Sequence, residues 1–218
     1  MIWIFDLDET LYDESTYVQS GLKHVARHIA DQGDLNADQL FNCMESEFRF
    51  NGRTNVFQRL TSTFPDLTHT LDDLVSIYRK HLPTIELYAD SRDTLSKLQD
   101  EKLYLVTDGN RNVQWNKIRA LKLEGKFRGI FVTDEHGHGA SKPGTLCFSK
   151  IRSECQADWS NMVYVGDDPH KDFLNIKKLG MRTIRVNRGR FKDLVLDNRY
   201  EAEITVDNLI DLEIALSK

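Results

Sequence analysis

Short apolar runs recur along the chain at Ile2 to Phe5, Leu103 to Val106, Ile130 to Val132, Met162 to Val165 and Thr183 to Val186, each broken off by polar or glycine residues. Runs that are continuous rather than alternating fit strands buried on both faces of a parallel sheet. Between them lie segments of helical length, Asn112 to Leu123, Pro143 to Cys155 and Lys171 to Leu179. This alternation predicts an α/β fold, a Rossmann-like doubly wound parallel sheet covered by helices. From about Ser15 to Leu87 the pattern changes, and apolar residues return at helical spacing in Val18, Leu22, Val25 and Ile29, then in Leu71, Leu74, Val75 and Tyr78. An inserted all-helical module of about four helices is expected there. Residues 1–14 and 89–218 then form the core, and residues 15–88 form a helical cap lying over the strand ends as a lid.

Ligands of doubly wound sheets bind at the carboxyl ends of the strands. The residues just past those ends are polar: Asp6 and Asp8 after the first run, Thr107-Asp108-Gly109-Asn110 after the second, and Gly166-Asp167-Asp168 after the fourth. Lys142 comes from a further connection. It stands just before Pro143, a residue suited to the first turn of a helix, so its ammonium is expected to project from a helix start into the same cleft. Two carboxylates held close at a buried strand end repel each other and lose water. A site that keeps both ionised supplies a cation or divides acid and base roles between them. Chemistry on an anion, with a metal present, is the expectation.

Composition narrows the classes without choosing among them. The chain has 218 residues, 40% hydrophobic and 29% charged, and a net charge of −5 with no Lys/Arg-rich run, which argues against nucleic acid as a partner. Cys43, Cys147 and Cys155 have neither the even number nor the CxxC spacing of a disulfide framework or a thiolate zinc site. No run of eighteen apolar residues and no basic leader with an apolar core is present, so no membrane association is expected and a cytoplasmic location is the default.

The segments Asp6-Leu7-Asp8-Glu9-Thr10, Thr107-Asp108-Gly109, Lys142 and Gly166-Asp167-Asp168-Pro169-His170-Lys171-Asp172 resemble, in order, the four motifs of the haloacid dehalogenase-like (HAD) hydrolase superfamily. The match spans almost the whole chain, and the helical insert resembles that family's cap. The resemblance implies that Asp6 attacks phosphorus to form an aspartyl phosphate and that Asp8 serves as general acid, then base. It implies Mg²⁺ bound by the Asp6 carboxylate, the Asp8 carbonyl and Asp167, with Asp172 and Asp168 near enough to ligate, to orient metal-bound water or to hold Lys142. Thr107 and Lys142 would hold the transferring oxygens, helped by the backbone amides of Asp108 and Gly109. The Asp108 carboxylate is unwelcome beside a phosphate, so its side chain should turn away or bond the local backbone.

Dehalogenating members of the family, by the same resemblance, lack the second carboxylate, so Asp8 favours phosphoryl chemistry. The expected activity is Mg²⁺-dependent hydrolysis of a small phosphorylated metabolite, with a sugar phosphate first and a nucleoside 5′-monophosphate second. A hydrolase-like binding module without turnover is the alternative from another class. His136 and His138 read as part of a flexible loop rather than a metal site. The Arg-bearing stretch Arg49 to Arg59 reads as solvation or as a surface that recognises polar groups of the substrate, and Arg188 and Arg190 as a small anion site or a soluble turn.

Overall fold

In the computed structural model, which describes residues 1–212, each apolar run becomes a strand. β1 (Ile2–Phe5), β2 (Lys102–Thr107), β3 (Gly129–Val132), β4 (Met162–Gly166), β5 (Arg182–Val186) and β6 (Ile204–Val206) form one sheet in the order β3-β2-β1-β4-β5-β6. Every pairing is parallel. The chain runs outward from β1 through β2 to β3, then returns to lay β4 on the other side of β1. The direction of winding therefore reverses between β1 and β4, the place where a doubly wound sheet opens a crevice at its strand ends. Central β1 is buried along its whole length, and Ile4 stands in register with Tyr104 on one neighbour and Tyr164 on the other. With Phe148, Ile151, Phe173 and Ile176 these residues make one buried apolar cluster. Each such side chain contributes about 1.5–3 kcal/mol through burial.

The chain divides into two compact units, Met1–Glu14 together with the described chain from Glu86 onward, and Ser15–Ile85. The second unit holds α1 (Glu14–Ala30, entering from the first), α2 (Ala37–Asn51), α3 (Val56–Thr63) and α4 (Leu71–Lys80). The repeat Val18, Leu22, Val25, Ile29 is the buried stripe of α1. The starts of α2 and α4 are fixed by capping: the Asn36 side chain accepts from the Asp38 and Gln39 amides, and Thr70 and Asp73 form a reciprocal capping box.

The first unit carries α5 (Ala89–Lys97), α6 (Arg111–Ala120), α7 (Leu146–Cys155) and α8 (Leu174–Lys178). Three expectations need correction. The helix after Lys142 begins at Leu146 and not at Pro143. The peptide between Lys142 and Pro143 is cis, and the Lys142 amide donates to the Asp108 carboxylate at 3.1 Å instead of entering a helix. The helix expected over 171–179 is confined to Leu174–Lys178, because Asp168 to Asp172 forms a turn in which the Asp172 amide donates to the Asp168 carbonyl at 3.0 Å. β6 was not foreseen: only Ile204, Thr205 and Val206 pair with β5, too short a run to stand out. Among the described residues no helix is long and apolar enough to cross a membrane.

Candidate active site

The end of β1 builds the centre of the site. The Asp6 amide donates to the Val165 carbonyl at 2.9 Å, extending the β1–β4 ladder by one residue and fixing where its carboxylate emerges. Asp167, just past β4, and Asp172, four residues after Asp168 across the turn, bring their carboxylates to the same place. Ligand oxygens of Asp6, Asp167 and Asp172 all lie within 4.8 Å of one another, and all three residues are buried. Gly166 makes room for this: a Cβ there would come within 2.4 Å of the Asp172 Oδ2.

Three buried carboxylates need positive charge. Lys142, with a side chain only 1% exposed, supplies part of it. Its ammonium lies 2.9 Å from Asp6 Oδ1 and 2.8 Å from Asp172 Oδ1, and donates to the Tyr164 hydroxyl at 2.8 Å. Burial pushes Asp6 up to about 7, with the Lys142 charge opposing and that of Asp172 adding. Asp167 is pushed to about 9 by burial and then by the charges of Asp172 and Asp6. The Lys142 ammonium is held well above the usual lysine range, since the charges of Asp172 and Asp6 outweigh its burial. Lys142, even with the Lys171 charge also acting on Asp6, therefore leaves the cluster short of cationic charge. An all-oxygen set of buried carboxylates is the donor chemistry that suits Mg²⁺, so the residues present fit that ion.

Asp8 is held by a separate set of partners. Its carboxylate accepts from the Lys117 ammonium at 2.7 and 2.9 Å, from Gln114 Nε2 at 3.0 Å and from the Tyr12 hydroxyl. Burial would raise its pKa, but the Lys117 charge and these hydrogen bonds hold it below the ordinary value. The same Gln114 amide donates to Thr107 Oγ1 at 2.6 Å, tying the ends of β1 and β2 together. Because that hydroxyl accepts from Gln114, its own proton is left to donate. Lys117, 3% exposed, also lies 3.6 Å from Glu14. Neither α6 residue was foreseen, since a lysine on a helix reads as solvated. A signal was present: Gln114, Lys117, Ile118 and Leu121 follow helical spacing, and all four are buried.

The remaining candidates take less central places. Asp168 accepts from the His170 amide at 3.0 Å and faces the His170 ring at 2.9 Å. Gly109 adopts φ +131°, with Gln114 against the place a Cβ would occupy. Asp108 does bond a backbone amide, but that of Lys142 rather than a local one, and it accepts from the Thr133 hydroxyl at 2.8 Å. His136 pairs with Lys150 at 2.9 Å. Arg188 is a clamp between segments rather than an anion site: it reaches both Asp90 oxygens at 2.9 Å, the Thr10 carbonyl and Ser91, and covers the Tyr88 ring.

The chain is matched over residues 3–186 by the family model described as haloacid dehalogenase-like hydrolase. Curated relatives include a glyceraldehyde 3-phosphate phosphatase of Methanocaldococcus jannaschii, 26% identical over 96% of this chain and 93% of that protein. One of the same name from Pyrococcus furiosus is 24% identical over 95% and 89%. Among solved structures, a HAD-hydrolase from Bacillus subtilis bound to magnesium aligns with TM-score 0.68 at 20% identity, covering 100% of this chain and 98% of that one. A 2-haloacid dehalogenase from Pseudomonas syringae aligns with TM-score 0.65 at 22% identity, covering 100% and 99%. Both structures share the fold with this chain, yet the first name states no substrate and the second a dehalogenation, so the reaction has to be argued from the side chains.

Proposed function

The chain belongs to the haloacid dehalogenase-like hydrolase family, and within it we propose a Mg²⁺-dependent phosphomonoester hydrolase that works through an aspartyl phosphate on Asp6 and acts on a small sugar phosphate. The observation that carries the chemistry is the Lys142 ammonium lying between the Asp6 and Asp172 carboxylates, 2.9 and 2.8 Å away, with Asp167 completing the oxygen cluster. The substrate class rests on the curated relatives named glyceraldehyde 3-phosphate phosphatase.

In the first step an Asp6 carboxylate oxygen attacks phosphorus. The bond from phosphorus to the ester oxygen breaks, and the leaving oxygen takes a proton from Asp8. In the second, water attacks the aspartyl phosphate, the bond from phosphorus to the Asp6 oxygen breaks, and Asp8 takes the proton that the water gives up. Lys117 favours the ionised Asp8 that this second step needs; the first step needs Asp8 protonated and gains from lower pH. Lys142 and the Thr107 hydroxyl stabilise charge on the transferring oxygens. Magnesium held by the Asp6 and Asp167 carboxylates and the Asp8 carbonyl, with the Asp172 carboxylate beside them, would offset the repulsion between the carboxylates and an anionic phosphate. We place the reaction in the cytoplasm, where such metabolites occur and three free cysteines stay reduced.

The test is phosphate release from a panel of sugar phosphates and nucleoside monophosphates, with Mg²⁺ and with chelator. Release that requires the metal and favours a triose phosphate is expected. Preference for nucleotides would overturn the substrate class, and no release from any ester would overturn the activity.

A further inference from the structure

A third lysine stands at this site, and the reaction above does not use it. Lys171 precedes Asp172, and its ammonium lies 3.4 Å from Asp108 Oδ2. The other Asp108 oxygen accepts from the Thr133 hydroxyl and from the Lys142 amide, so one carboxylate joins the two lysines. Their settings differ. Lys142 is 1% exposed and pinned by contacts of 2.8 to 2.9 Å, whereas the Lys171 side chain is 30% exposed and its contact with Asp108 is long. Lys171 stands on the turn from Asp168 to Asp172 that carries a carboxylate of the cluster, and although burial and the Lys142 charge lower its pKa, the charges of Asp6, Asp172 and Asp108 more than offset them.

We propose that Lys171 is a second phosphate-binding cation, parked on Asp108 in the free protein and transferred to a non-bridging oxygen of the phosphoryl group when substrate arrives. This rests on the reading of the site as one for a phosphate monoester. It also gives Asp108 a use: a carboxylate that weakens phosphate binding by its charge serves as the resting partner of Lys171. A loose, part-exposed ion pair is weak and opens readily, and a charge-assisted bond to a phosphate oxygen is stronger. Lys142 is already in place before substrate binds, so its contribution falls on the transition state. Lys171 engages as substrate binds, so its contribution falls on affinity.

The experiment compares Lys171→Met, Lys171→Arg and Asp108→Asn with the native protein, reading kcat and KM for the best phosphate ester and, separately, the Kd of inorganic phosphate in the presence of Mg²⁺ by calorimetry. For Lys171→Met, KM and the phosphate Kd should rise on the order of tenfold to a hundredfold, with kcat changed by less than about threefold. Lys171→Arg should recover most of the affinity. Asp108→Asn keeps an oxygen for Thr133 and the Lys142 amide but removes the competing charge, so it should bind inorganic phosphate more tightly. An unchanged KM and phosphate Kd in Lys171→Met, or a fall in kcat at constant KM, would overturn the proposal. Should Lys171→Met fail to fold, Asp108→Asn decides alone, and unchanged or weaker phosphate binding there refutes it. A native protein that hydrolyses no ester would instead refute the parent reading.

Discussion

Replacing Lys142 by Met tests the electrostatics of the site without assuming any substrate. Met keeps much of the volume and removes the ammonium that contacts Asp6, Asp172 and Tyr164. The buried carboxylates of Asp6, Asp167 and Asp172 then face one another without that cation. Breaking a buried ion pair from one side costs about 3–5 kcal/mol, because the remaining charge has neither water nor a partner. The pH dependence has a definite sign. Asp6 and Asp167 have folded pKa values raised to about 7 and about 9 from 3.8, so folding takes up protons. Their penalty is absent below 3.8, grows as pH rises, and is complete above about 9. Removing Lys142 raises both carboxylates further, so the variant's loss of stability should be larger at about pH 8.5 than at about pH 5.5. Urea unfolding in chelator at the two pH values measures this. Added Mg²⁺ should recover more stability at the higher pH. A loss below about 1 kcal/mol, the range of an exposed pair, would refute the reasoning. So would a loss equal at both pH values.

Other consequences are sharper in activity. Asp8→Ala should lower kcat/KM by roughly a hundredfold or more for an alkyl phosphate and far less for 4-nitrophenyl phosphate, whose leaving oxygen needs no proton; equal losses would remove Asp8 as the acid. Lys117→Met should let Asp8 keep its proton to higher pH, moving the pH profile of kcat/KM for alkyl phosphates upward, and an unmoved profile would count against the pairing. Gly166→Ala forces a Cβ to within 2.4 Å of Asp172 Oδ2, so it should cost about 1–3 kcal/mol in urea unfolding and weaken Mg²⁺ binding measured by calorimetry; native values for both would show that the turn yields.

Much of the fold was legible because its strands are buried on both faces and read as unbroken apolar runs. β6 was not, since three residues at a sheet edge carry too little pattern. The placement of motif residues was legible at the strand ends: Asp6 and Asp167 directly follow β1 and β4, and Thr107 ends β2. It was less so where tertiary contact decides. Pro143 suits a helix start, but the Lys142 amide is held by Asp108, 34 residues away in sequence. Lys117 resembles any solvated lysine until α6 docks against the sheet and turns its ammonium onto Asp8. Asp172 was expected near the metal or near Lys142, and the turn from Asp168 brings its carboxylate within 4.8 Å of ligand oxygens of Asp6 and Asp167 and 2.8 Å from the Lys142 ammonium.

The most direct test of the central claim is the site of covalent phosphorylation. The native protein is mixed with its best phosphate ester and Mg²⁺, quenched within one turnover, reduced with borohydride to convert any acyl phosphate to a stable alcohol, and mapped by peptide mass spectrometry. The account predicts conversion at Asp6, absent without substrate and absent from Asp6→Asn, which should also release no phosphate while keeping its fold. Rapid phosphate release with no modification at residue 6, or comparable release by Asp6→Asn, would contradict it.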